Sequence, residues 1–167
     1  MINVSDEYIK IVKDIINSDE FIKRKTYTHH GKITVYDHSL KVSLLSYRLA
    51  KRLHLDFKSA AIGGILHDMY YNPWQNSTIK KPLLKKHGFV HASEALENSK
   101  KLYPEHMNIK IEDIIKKHMF PLNISLPKYK ESWIVTLCDK IVATNDYFNQ
   151  VKSNVSVYIL LILSFFK

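Results

Sequence analysis

The chain has 167 residues, 46% of them hydrophobic, which is enough for one domain with a real core. Its formal charge of +9 asks for an anionic partner, yet its basic residues are 22 Lys and only 3 Arg, scattered as pairs such as Lys80-Lys81 and Lys116-Lys117. Arg is what nucleic-acid readers use for bidentate base contacts, so no stable nucleic-acid complex is expected and a small phosphorylated molecule fits better. A single cysteine, Cys138, excludes an internal disulfide and suits a reducing compartment. The opening residues lack a positive stretch followed by an apolar run, so no signal peptide is expected and the location is read as cytoplasmic.

Ser5 followed by Asp6 and Glu7 predicts an N-cap with acidic first-turn residues. Ile9, Ile11, Val12, Ile15 and Ile16 then give a short amphipathic helix over 5–17, with one more turn over 19–25. Residues 26–34, with His29, His30 and Gly31, read as loop. A helix over 35–53 places His38, Val42, Leu45 and Leu49 on one face. Asp56 is the N-cap of a helix reaching about residue 69, where Ala60, Gly63, Gly64 and His67 share a face. Two adjacent glycines cost a helix roughly 1 kcal/mol each relative to Ala, so a close helix–helix approach is expected one turn below His67.

Residues 70–78 contain Asn72-Pro73 and read as loop, carrying Tyr70, Tyr71 and Trp74. A short helix over 79–86 should end at His87-Gly88, with Gly as C-cap. A helix over 90–102 carries His91 near its start. The next, over 109–119, lines up Ile111, Ile114, Ile115 and His118. The longest late helix, 131–148, is expected to bury Ile134, Leu137, Cys138 and Ile141, with Asp139 beside them between Val135 and Val142. Lys152-Ser153-Asn154 reads as a break before the apolar run 155–166. That run is too short to span a bilayer, which needs about 20 residues, so it is expected to pack on the fold or to pair with a second copy. No strand alternation is strong enough to predict a sheet. The fold class is therefore all-α, a helical bundle of one domain over 1–167 with its core over 35–148.

His38, His67, Asp68, His91, His118 and Asp139 each fall on or beside an apolar stripe. A polar group there needs a partner, because burying it unpaired costs on the order of a few kcal/mol. Their spacing of 21 to 29 residues, apart from the His67-Asp68 pair, is one helix plus a turn per group, as a bundle requires to bring them to one point. Imidazole nitrogen with carboxylate oxygen suits Mn, Fe, Co, Ni or Zn, and suits Mg less well. Six such groups over-supply one ion and fit two that share a carboxylate.

In order and helical context, His38, the pair His67-Asp68 and Asp139 resemble the HD-domain superfamily of metal-dependent phosphohydrolases, over about residues 35–148. The resemblance implies that these four hold a first metal. It also implies that His91 and His118 hold a second, with Asp68 bridging and a metal-bound hydroxide as nucleophile. Many relatives carry Lys three residues after the pair, where Tyr71 stands here. Transition-state charge must then be met by another group, and His87, Lys140, Arg48 and Lys128 are candidates. Asp68 and His87 are the residues read as catalytic, the latter in a leaving-group or supporting role. The acidic residues of guanosine tetraphosphate hydrolases and small 5′-nucleotidases are missing, as is the Gly-Tyr-Pro signature of the cyclic-dinucleotide branch. What remains is the group of small stand-alone hydrolases acting on a nucleotide or other phosphate ester. Two rivals share the ligand set: a diiron oxygenase of the myo-inositol oxygenase kind, and a non-catalytic nucleotide-binding module.

Overall fold

A computed structural model describes residues 5–30, 33–70 and 87–164, with side chains described over 5–28, 33–70 and 91–149. Helices α1 (Asp6–Ile16) and α2 (Asp19–Ile22) lead through a 3₁₀ turn at Lys23–Thr26 into a small antiparallel hairpin, β1 (Thr28–His30) with β2 (Ile33–Thr34). Then come α3 (Val35–Arg52), α4 (Phe57–Leu66), α5 (His87–Leu102), α6 (Ile109–Lys117) and α7 (Lys130–Ser164). The class is all-α, as expected. No helix among the described residues is long and apolar enough to cross a membrane.

The caps follow the local chemistry. Ser5 accepts from the Tyr8 amide, Thr34 from Asp37 and Asp56 from Ser59, so each helix start satisfies one of its orphan donors. The core has two parts. One gathers α1, α3 and α4 around Val12, Ile15, Tyr47, Ile65 and Leu66. The other lies where α3, α4 and α6 meet α7, around Val42, Ala60, Ile114, Val135 and Cys138.

Close approach is what makes α3, α4 and α6 a single block. The buried side of α3 carries Ser39, Ser43 and Ser46, which are small. A Cβ on Gly64 would come within 2.8 Å of the Ser43 Cα, and one on Gly63 within 2.7 Å of the Ile114 side chain. The glycine pair therefore does what its cost implied: α4 is pressed against backbone on one side and against α6 on the other. The Ser43 hydroxyl donates to the Ala61 carbonyl at 2.7 Å and accepts from the Tyr8 phenol at 3.0 Å, which ties α1 to the same seam.

Four expectations need correction. Thr28–His30 and Ile33–Thr34 pair as short antiparallel strands rather than lying in plain loop; strands of three and two residues are too short to show alternation. His87 and Gly88 are helical, the first described residues of α5, where the end of a helix was expected; the helix expected over 79–86 lies outside the described residues. Helix α7 runs unbroken through Lys152-Ser153-Asn154, none of which is a strong breaker. Finally, α7 carries two overlapping apolar stripes and only one is buried. Ile134 and Cys138 face the core, but Leu137 is 52% and Ile141 41% exposed, in line with exposed Trp133.

Candidate metal centre

The six polar groups converge. Two clusters form, His38 with His67 and Asp139, and Asp68 with His91 and His118; within each, one ligand atom per residue lies within 4.8 Å of the others. Adjacency of His67 and Asp68 at the end of α4 joins them. Asp68 faces both ways: Oδ2 is 3.4 Å from Nε2 of His67, while Oδ1 is 2.7 Å from Nε2 of His91 and 3.5 Å from Nε2 of His118. In the first cluster, Oδ1 of Asp139 is 3.0 Å from Nε2 of His38 and 3.7 Å from Nε2 of His67. Every Nε2 therefore points inward.

Helix ends explain two of these orientations. His67 and His118 are the C-cap residues of α4 and α6. The last carbonyls of a helix have no intrahelical partner, and here the imidazoles supply one. Nδ1 of His67 donates to the Gly64 carbonyl at 2.8 Å, and Nδ1 of His118 to that of Ile115 at 2.7 Å. A carbonyl only accepts, so the proton sits on Nδ1. In a neutral ring, Nε2 is then a bare lone pair.

The electrostatics are those of a site short of positive charge. Burial, with help from His67, pulls the pKa of His118 down to about 3, so its ring is neutral. Its buried Nε2 has no hydrogen-bond partner and faces a carboxylate oxygen, acceptor against acceptor. Nε2 of His67 is also buried without a hydrogen-bond partner. Burial opposes charge on His38, yet the carboxylates of Asp139 and Asp146 outweigh it and lift its pKa to about 9. His67 is raised for a similar reason, Asp68 and Asp139 prevailing over burial. Asp139 is held far below the usual carboxylate range, because His38 and His67 outweigh its burial. Protons thus cluster where a cation would neutralise the same carboxylates, and metal ions bound by these residues would displace them. The donor set and the bare nitrogens fit a divalent metal.

Around the cluster, some expectations are met and others are not. Tyr70 is buried, with its ring centroid 4.4 Å from that of His91 and its hydroxyl unpartnered. Burial pushes that phenol well up, so it stays protonated. The Lys140 ammonium donates to the His118 carbonyl at 3.3 Å and to that of Thr136 at 3.4 Å. Arg48 instead lines a surface cavity of about 390 Å³ with Tyr47, Lys51 and Arg52. The Lys128 amide donates to Asp113. The side chain of His87 lies outside the described residues, as do Tyr71 and Trp74. Asp146 was missed by sequence reasoning, although it sits two turns after Asp139 on the same helix, a spacing that repeats a face.

The family model of the HD domain matches residues 35–144, from the start of α3 well into α7. No curated protein and no solved structure matches the chain. The match covers more than half of the sequence, and the chain belongs to the HD-domain superfamily of metal-dependent phosphohydrolases.

Proposed function

We propose that the protein is a two-metal phosphohydrolase acting on a small phosphate ester or nucleotide. The observation that carries this reading is the inward set of Nε2 atoms around Asp68, two of them buried and bare. His38, His67, Asp68 and Asp139 would hold one ion; Asp68, His91 and His118 would hold the other. Bound there, divalent cations polarise a phosphoryl oxygen and lower the pKa of a water toward neutrality, which supplies the nucleophile.

The chain's own residues do the rest. Backbone carbonyls lock the His67 and His118 rings, so the ligand atoms are set before any ion arrives. Asp68 is fixed beside His67 by the end of α4 and offers one oxygen to each side. Ile65 and Leu66, just before His67, and Ile115, one turn before His118, are fully buried and root both helix ends in the core. Lys140 places an ammonium near His118, the side from which a phosphate's charge would be met now that Tyr71 takes the usual lysine's place. His91 and Asp139, 17% and 15% exposed on their side chains, mark the accessible edge.

Metal-loaded protein, tested with Mn²⁺ or Fe²⁺ against nucleotides and simple phosphate monoesters, is expected to release inorganic phosphate or a nucleoside phosphate. Asp68→Ala is expected to abolish this. Oxygen uptake with an Fe-loaded protein and no phosphate release would instead establish the oxygenase reading.

A further inference from the structure

The three buried imidazoles of the centre are not held alike. His67 and His118 close their helices, so each finds a free carbonyl three residues back. His38 lies in the first full turn of α3, after the Thr34 cap. There the carbonyls point along the helix and enter its hydrogen bonds, unlike those at a helix end. Another helix brings a carboxylate to its Nδ1 side. Oδ2 of Asp146, two turns beyond Asp139 on α7, stands 3.9 Å from Nδ1 of His38 and is buried with no hydrogen-bond partner of its own. Its other oxygen, Oδ1, accepts from the Lys41 ammonium at 2.7 Å. Lys41 is one turn after His38 on α3, so the carboxylate is gripped at one oxygen and leaves the other turned to the imidazole.

We propose that Asp146 is the positioning residue for His38. It attracts the Nδ1 proton and keeps Nε2 turned toward Asp139, doing for the first cluster what backbone carbonyls do for His67 and His118. Carboxylate–histidine–metal triads act in this way, and losing the outer partner weakens metal binding 10–100-fold as a rule. The role rests on the two-metal reading of the site. Lys41 tunes the carboxylate's orientation from a half-exposed position and matters less.

The test is Mn²⁺ titration of the metal-stripped full-length protein by calorimetry, alongside thermal unfolding of the same metal-free samples. Wild type should take up two Mn²⁺. Asp146→Ala should keep one site at wild-type affinity and weaken the other about 10–100-fold. Asp146→Asn, whose amide oxygen still accepts from Nδ1–H, should recover most of the loss, and Lys41→Ala should stay within a few-fold of wild type. If Asp146→Ala fails to fold, Asp146→Leu beside Asp146→Asn makes the same comparison, since Leu keeps the volume and removes the acceptor. Zn²⁺-loaded protein adds a readout that packing alone would not move: the His38 tautomer by ¹⁵N spectra, Nδ1-protonated in wild type and mixed in the Ala or Leu variant. Two unchanged sites in Asp146→Ala or Asp146→Leu, or equal weakening of both, would overturn the proposal while leaving the metal centre standing. A wild type that binds no Mn²⁺ would instead overturn the metal reading, and this inference with it.

Discussion

The two halves of the centre are built differently. The first cluster draws one residue each from α3, α4 and α7, elements far apart in sequence, and reaches its geometry only when those helices are packed. The second draws on the ends of α4 and α6 and on His91 near the start of α5; His118 is held by its own helix. The first is therefore the part that reports on the fold. The second is nearly complete once two helix ends meet; each half has one partly exposed side chain, Asp139 at 15% and His91 at 17%. Asp68 belongs to both and is the point where they fail together.

Removing Asp68 is the strongest way to probe that difference. Asp68→Ala should empty both clusters of metal and lower hydrolysis roughly 10³-fold or more, since metal ions supply several kcal/mol of transition-state stabilisation. Elemental analysis and an activity assay on the same preparation check it. Single changes should split the pair: His118→Ala should lose the second metal and keep the first, and His38→Ala the reverse, read by metal stoichiometry.

Smaller effects come from the frame. Asp113 accepts from the Ser132 hydroxyl and the Lys128 amide, each at 2.8 Å, and pairs with Lys117 at 2.8 Å, which pins α6 to the start of α7. Asp113→Asn leaves these partners poorly met and should cost about 1–3 kcal/mol in urea unfolding, with metal stoichiometry unchanged. Lys117, the Lys128 amide and Ser132 together outweigh the burial of Asp113 and depress its pKa. Its stabilisation is present above the unfolded value near 3.8 and is lost as pH falls through the lower folded value, so Asp113→Asn should flatten the acid limb. Gly64→Ala should cost a similar amount, about 1–3 kcal/mol, because the new methyl meets Ser43 backbone rather than a movable side chain. Its effect on metal binding should fall on the first cluster, since α3 moves away from α4.

The smallest expected effect is on pH. In metal-free protein the Asp139 and Asp146 carboxylates outweigh burial and lift the His38 pKa from its ordinary 6.5 to about 9. A raised pKa gives stability that is full below 6.5 and lost as pH rises through about 9. Thermal unfolding of metal-stripped protein from pH 6 to 10 should show that decline, and His38→Ala should remove part of it.

Much of this was legible in the residues. The stripes of α3 and α6 were plain because His38 and His118 each ride on apolar positions: Val42, Ile111, Ile114 and Ile115 are buried, and Leu45 and Leu49 partly so. The Gly63-Gly64 pair announced a close contact, and it was found against Ser43 and Ile114. Asp139 was visible as a charge between Val135 and Val142, both buried. Other features had no sequence contrast to show them. Asp146 sits among Asn145, Tyr147 and Phe148, with exposed aromatics beside it, and looks like a surface charge until α3 is laid against α7. The unbroken course of α7 was hidden by three polar residues that a helix tolerates. Which of its two apolar stripes is buried depends on where α3 lies, a tertiary fact that no local pattern carries.

The central claim is that one carboxylate, Asp68, joins two metal sites. Metal content of protein purified without added metal, and again after reconstitution with Mn²⁺ or Fe²⁺, measured for wild type beside Asp68→Ala, tests it most directly. Close to two ions per wild-type chain, and loss of both in the variant, are expected. Wild type with no metal after reconstitution, or a variant that keeps both ions, would contradict it.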